Sequence, residues 1–320
     1  MRVHRGLLFW GLGLVTAGAV ALAIMQGYLD RETMAGAWRL WPLILVAIGV
    51  SLIVARTPVA PLGTALAAVV AGTVVGTAVA VGPGVVAFCG GSDPASLEDH
   101  TGTFAGSGAA LTWRLDCGDL DLTMNATSTW TARVGSSRGD PPMVSGSPSA
   151  LEITSQHVGD FLNSGHERWE VVIPQAVSYD AEIRANAGTL SLGLAGSSFS
   201  SLALQPNAAD LHLNLVDASV DGFDLELNAG SAKITVSSGT LLTGSIDVNA
   251  GSISLCAPDG TPLQITASGA AFGADLGGNG LIHSGDTWES PGYASAQRRI
   301  TLTVHGNAAS FALNPSGGCT

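Results

Sequence analysis

The sequence predicts a membrane-anchored all-β protein: N-terminal transmembrane α-helices followed by a β-solenoid, single-stranded and β-helix-like, of about 21-residue repeats. Three observations predict it. Charge is sparse over the first 88 residues, an Asn-Ala motif returns four times at intervals of 21 residues, and each copy alternates apolar and polar side chains.

The 320 residues are 46% hydrophobic and only 12% charged, and the charge is unevenly divided. Beyond residue 88 the chain carries eight basic residues against 23 acidic ones, a net charge of −15. That sign argues against nucleic acid and anionic lipid headgroups as partners of this part. The 42 glycines, with abundant Ser, Thr, Asn and Asp and a single lysine, Lys233, suit a β protein with many tight turns.

The first element is an uncharged run from Gly6 to Leu29, 24 residues long, and about 20 helical residues span a bilayer core. A second run follows from Leu40 to Ala55, with Trp38 and Trp41 as interfacial residues and Pro42 in the first turn. The third is uncharged from Thr57 to Ser92. Within it Ala68, Gly72, Gly76, Ala80 and Gly84 recur every four residues, one flank of small side chains along which another helix can approach closely. Helix packing is preferred over a pore, because none of the three spans carries an ionisable residue. Arg2 and Arg5 before the first span and Arg56 after the second place the N-terminus inside and the C-terminal domain outside a bacterial cytoplasmic membrane. The segments read as a helical hairpin over 1–58, a third helix over 59–88, a Gly/Ser-rich tether over 89–110 and a β-repeat domain over 111–320.

The repeats open at Asn186, Asn207, Asn228 and Asn249, and three of the four have glycine two places on, at Gly188, Gly230 and Gly251. Asn and Gly both tolerate positive φ, so each motif is expected to turn the chain. Leu190, Leu192 and Leu194 then alternate with polar residues and are matched 21 residues later by Leu211, Leu213 and Leu215. Each unit is read as two strands and two turns, burying its apolar face by stacking on its neighbours. Stacked asparagines could hydrogen-bond along the stack. The pattern extends upstream to "LDCGDLDLTM", where Asp116 stands in the Asn position, and downstream to "NAASFAL" from Asn307. Residues 135–149 and 277–296 read as loops.

Candidate chemistry is thin. Gly135-Ser136-Ser137-Arg138-Gly139 has the spacing of a nucleophile elbow but no following helix. The seven histidines show no metal-ligand spacing, and His212 is expected to face solvent from a strand. Asp116, Asp119 and Asp121 form the densest acidic cluster and are read as a solvated strand face rather than a Ca²⁺ site. No catalytic residue, metal or cofactor is expected. Cys89, Cys117, Cys256 and Cys319 all fall on the expected outer side, where disulfides persist. Of three possible connectivities, Cys117 with Cys256 and Cys89 with Cys319 is favoured, because the latter would tie the domain's two ends.

The stretches "GLLFWGLGLVTAG" and "WPLILVAIGVSLIVAR" resemble the helical hairpin at the N-terminus of LiaF-type cell-envelope stress proteins. The motifs "GDLDL", "WEVVIP", "NAGTLSL", "NAGSAKI" and "NAGSISL" resemble the toast-rack, adhesin-like β-repeat family of bacterial envelope proteins. These resemblances imply envelope stress sensing or signalling, modulation of a partner histidine kinase, or adhesion, and they supply no catalytic residues. The third span departs from the two-span pattern and would export the β-domain. The expected partners are the lipid bilayer and a protein, either a sensor kinase or a second copy.

Overall fold

The computed structural model describes residues 11–16, 18, 19, 68–70, 72, 73, 93–156, 165–316, 318 and 319. The chain divides into two compact units, Met1–Ala87 and Phe88–Thr320. In the first unit the described residues are helical. Ala68 and Gly72 are buried whereas Val69, one position on, is exposed, so the two small residues share one covered helix face. Gly76, Ala80, Gly84, Cys89 and most of the three expected spans lie outside the described residues. Among the described residues no helix is long and apolar enough to cross a membrane.

The second unit is built of strands. They are β1 Glu98–Thr103, β2 Gly108–Asn125, β3 Thr129–Ser136, β4 Met143–Ser147, β5 Ala150–Thr154, β6 Glu167–Pro174, β7 Ser178–Gly193 and β8 Ser198–Asn214. There follow β9 Ser219–Thr235, β10 Leu241–Cys256, β11 Leu263–Gly269, β12 Gly273–Asp275, β13 Ile282–Ser284, β14 Thr287–Glu289 and β15 Ile300–Leu313. The stack runs β2-β7-β8-β9-β10-β15, parallel throughout. Leu190, Leu211, Ala232 and Ile253 fall in register, as do Ala187, Ala208, Ala229 and Ala250. A repeat of constant length lets each strand find the same partner positions in the next, which fixes register without hairpins.

Each 21-residue unit is one bent strand and one turn, not two strands and two turns. Pairing continues through the Asn-Ala-Gly motif, where Gly188 (φ 127°), Gly230 (φ 128°) and Gly251 (φ 157°) bend the strand without ending it. A Cβ on Gly188 would lie 1.7 Å from the carbonyl oxygen of Gly118, so neighbouring corners nest closely because the side chain is missing. Both arms of each bent strand turn apolar residues into one shared core, which takes in Leu202 and Leu204 from one arm and Leu211 and Leu213 from the other.

At the opposite, turn-side corner a row of aromatic rings runs Trp130–Phe104–Tyr179–Phe199, with centroids 6.5, 5.9 and 5.7 Å apart. Tyr179 is fully buried and donates its hydroxyl to the Pro174 carbonyl at 2.6 Å; burial raises its phenol above the ordinary range. Asp217 adopts the left-handed conformation (φ 58°) in one turn, where its carboxylate accepts the Ser237 hydroxyl at 2.7 Å.

Three expectations of irregular chain are corrected. Residues 98–103 of the expected tether form β1, paired antiparallel with β3. The Pro/Gly/Ser-rich stretch 135–149 contains β4, held as a strand by antiparallel pairing with β5. The stretch 277–296 contains the β13–β14 hairpin and a 3-10 turn at Tyr293–Ser295. Short, Gly-rich strands have too few apolar positions to show a period, and their partners supply the missing stability. The disulfide expectation is also overturned, because Cys256 bonds to Cys319. This closes a sequence interval of 63 residues and ties the C-terminus to the end of β10. Cys117 is disulfide-bonded as well.

Candidate functional site

The corner line of the stack is a ladder of side-chain amides. Asn307 donates its Nδ2 to Asn249 Oδ1 at 2.8 Å, Asn249 to Asn228 at 2.7 Å, Asn228 to Asn207 at 2.6 Å, and Asn207 to Asn186 at 2.8 Å. Asn186 then donates to Asp116 Oδ1 at 2.7 Å. An amide both donates and accepts, so the ladder propagates in one direction; a carboxylate only accepts, so it ends at Asp116.

Beyond Asp116 the next rung is split. β5 pairs with the first arm of β2 (Ala110↔Ala150 to Arg114↔Thr154) and β6 with the second (Gly118↔Glu167 to Asn125↔Pro174). The two cut ends are joined by side chains. The Asp116 backbone N–H donates to Ser155 Oγ at 2.9 Å, and the Ser155 hydroxyl donates to Glu167 Oε2 at 2.7 Å. Trp169 Nε1–H donates to the same oxygen at 2.9 Å. Asp116 and Glu167 are 2% and 6% exposed, two carboxyl groups covered side by side. Burial pushes the Glu167 carboxyl up to about 7; the Ser155 and Trp169 bonds oppose the shift and the charge of Asp116 adds to it. Glu167 therefore holds its proton more tightly inside the domain than a solvated carboxyl does.

Asp119, one strand position outward, lies 3.3 Å from His166 Nε2, which is also 3.5 Å from Asp93. With Asp121, Arg168 and Trp169, Asp119 lines a shallow cleft of about 240 Å³. The expected solvated face therefore holds for Asp121, which is exposed, and partly for Asp119, and fails for Asp116. Asp116 takes the Asn position of the ladder, where it is buried and its Oδ1 accepts the Asn186 amide. His212 is exposed on β8. Ser137 follows the end of β3, and its Oγ accepts the backbone N–H of His166 at 2.9 Å, a loop-closing bond. Among the described residues no three His, Cys, Asp or Glu side chains converge in a way that could hold a metal ion.

Glu167 and Ser155 were not expected as site residues. A signal for Glu167 was present: it shares parity with Trp169, Val171 and Ile173, so a charged residue heads the inward face of an otherwise apolar strand.

Parallel bent strands, stacked in constant register behind a corner amide ladder, define a repeat-built β-domain, and comparison with known proteins finds two family models that match parts of the chain. Residues 8–53 match the LiaI-LiaF-like transmembrane region, and residues 109–237 match the N-terminal domain of toast_rack, DUF2154. The chain thus joins a segment similar to the LiaF-like transmembrane region to one similar to the toast-rack domain. No curated protein matches it. Two solved structures are similar. A candidate cell adhesion protein from Clostridium sporogenes ATCC 15579 is 12% identical with a TM-score of 0.45, over 68% of this chain and 98% of that one. A candidate adhesin from Bacteroides fragilis NCTC 9343 is 11% identical with a TM-score of 0.28, over 70% of this chain and all of that one.

Proposed function

We propose that this protein is a non-enzymatic bacterial membrane protein that displays its β-solenoid as an interaction domain in cell-envelope stress sensing or signalling. The observation that carries this reading is the union in one chain of a LiaF-like transmembrane region and a toast-rack domain. A stack of fixed register suits the role, since it presents a long rigid surface whose shape does not depend on a ligand. On this reading the N-terminus is cytoplasmic, the β-domain lies outside the cytoplasmic membrane, and the small-residue flank of the third span meets a membrane partner such as a sensor kinase.

Two experiments test it. Single cysteines added at the N-terminus and near Ser316, with the native cysteines replaced, are labelled on intact cells with a membrane-impermeant thiol reagent. Labelling only near Ser316 is expected, and protection there overturns the exported domain. In vivo crosslinking should then capture a membrane partner that Gly72→Leu and Gly76→Leu release. Unchanged crosslinking removes the helix face as the contact.

The second reading, an adhesin or assembly scaffold acting through the solenoid's face or edge, is favoured by the strand edges at the end of the sheet. It is distinguished by binding of the chain to whole cells or envelope fragments in the absence of the kinase.

A further inference from the structure

The N-terminal end of the solenoid leaves two edge strands, one from each arm, and they differ in how they meet solvent. Among the described residues β1 pairs only with β3, and it carries Glu98 and Asp99 at its start. Charged residues on an edge strand discourage further pairing. Among the described residues β4 pairs only with β5, and its sequence, Met-Val-Ser-Gly-Ser, has no charge. Met143 is 65% exposed, and Ser145, Gly146 and Ser147 are exposed as well. The two strands converge where the Ala105 N–H donates to the Pro148 carbonyl at 2.8 Å.

Between them opens a cleft of about 530 Å³, lined by β1 from Asp99 to Thr103, by Val144, Gly146 and Ser147, and by Trp130. The Trp130 indole lies between the two strands: a Cβ on Gly102 would fall 2.5 Å from its ring, and one on Gly146 2.4 Å from it. Trp130 is 5% exposed, and among the described residues its Nε1–H has no hydrogen-bond partner. The Nε2 of His100, on the same cleft, has no hydrogen bond among the described residues and faces the Glu98 carboxylate at 3.9 Å. A buried indole N–H is normally paired, so the one on this cleft marks a place where an acceptor is missing. The carboxylates at it are Asp99, which lines the cleft, and Glu98 beside His100, with Arg133 already engaged by Asp99 and Glu170.

We infer that this end of the domain binds an extended segment of a partner protein, with basic residues at alternate positions, as an added strand on the free edge of β4. Strand addition supplies both missing components. Its backbone bonds to the β4 edge and brings carbonyl oxygens to the cleft that holds the indole and imidazole nitrogens, while its cationic side chains meet the acidic rim. The inference rests on the interaction-domain reading above and names the surface and chemistry it would use.

The test uses the full chain in detergent and three synthetic octapeptides: alternating Lys-Val, alternating Glu-Val, and alternating Lys-Pro. The last has the charge of the first but lacks every second N–H. Binding is read by fluorescence anisotropy and mapped by hydrogen exchange. The Lys-Val peptide is expected to bind and to slow exchange over residues 143–147, with the other two at least tenfold weaker. Ser145→Pro should weaken binding at least tenfold. Ser145→Lys, which leaves the backbone N–H in place, should weaken it several-fold by repulsion. Equal binding of Lys-Pro reduces the effect to charge and overturns strand addition, as does protection that maps to β1, β12 or β13. Protection of 143–147 in the peptide-free chain, rising with protein concentration, makes a second copy the occupant and overturns the basic partner. If no peptide binds but crosslinking in cells still captures a partner, this edge is excluded while the interaction-domain reading stands.

Discussion

The corners of this stack come in two kinds. At Asn186, Asn207, Asn228, Asn249 and Asn307 the side chain at the bend is an amide that donates to the rung before it. At Asp116 it is a carboxylate, and the rung beyond is closed by Ser155 and Glu167. Amide corners are neutral and self-complementary, so they extend the stack without burying charge and do not respond to pH. The carboxylate corner ends the ladder and covers a second acid, which makes it the one corner of the ladder that titrates near neutrality. One fold position thus serves as a repeatable joint or as the terminus of the ladder, depending on whether nitrogen or oxygen occupies one branch of the side chain.

The largest expected effect comes from filling a corner. Gly230→Val places a Cβ about 2.1 Å from the Ala209 carbonyl oxygen at a φ that L-residues avoid, and it should cost at least ~4 kcal/mol or prevent folding. Circular dichroism and urea unfolding would check this; a native-like midpoint would show that the corners are not closely nested. Removing the Cys256–Cys319 bond by Cys319→Ala acts on a loop of 63 residues at the far end. Chain entropy puts the loss at about 4 kcal/mol. It should leave the Glu167 titration unchanged.

The third prediction concerns pH. Glu167 holds a proton in the folded domain up to about pH 7, whereas the unfolded chain releases it near 4.5. The folded state therefore binds more protons between these values. Stability should be highest below pH 4.5, fall by about 3 kcal/mol as pH rises to 7, and level off above it. Glu167→Gln, which keeps an acceptor for Ser155 and Trp169, should remove this slope. A thermal midpoint that rises between pH 5 and 7 in the native chain would sink the assignment. The smallest effect is expected at an amide corner: Asn207→Ala removes two exposed hydrogen bonds and should cost about 1 kcal/mol, equally at pH 5 and pH 8.

What the sequence disclosed follows from the same contrast. The constant 21-residue spacing and the alternation of Leu211, Leu213 and Leu215 disclosed the stack, because they report a periodic environment. The amide ladder was legible for the same reason. The bend was misread as a turn, because the sequence shows that Gly188 can take positive φ but not that pairing continues through it. The acid pair was hidden by distance: Ser155 and Glu167 meet only because β5 and β6 share β2 as a neighbour. β4 was hidden by composition, since five residues with two serines and a glycine carry no period, and its pairing with β5 makes it a strand.

The register carries a consequence for length. Because Asn186 meets Asn207 by the same atoms through which Asn207 meets Asn228, excising residues 207–227 would bring Asn228 against Asn186 with the amide bond of the ladder intact. The domain would be shorter by one strand spacing, about 4.8 Å, and otherwise the same. Copy number is therefore a dimension that gene duplication or deletion can adjust in whole steps, and a lineage can change the span of this domain without solving a new folding problem.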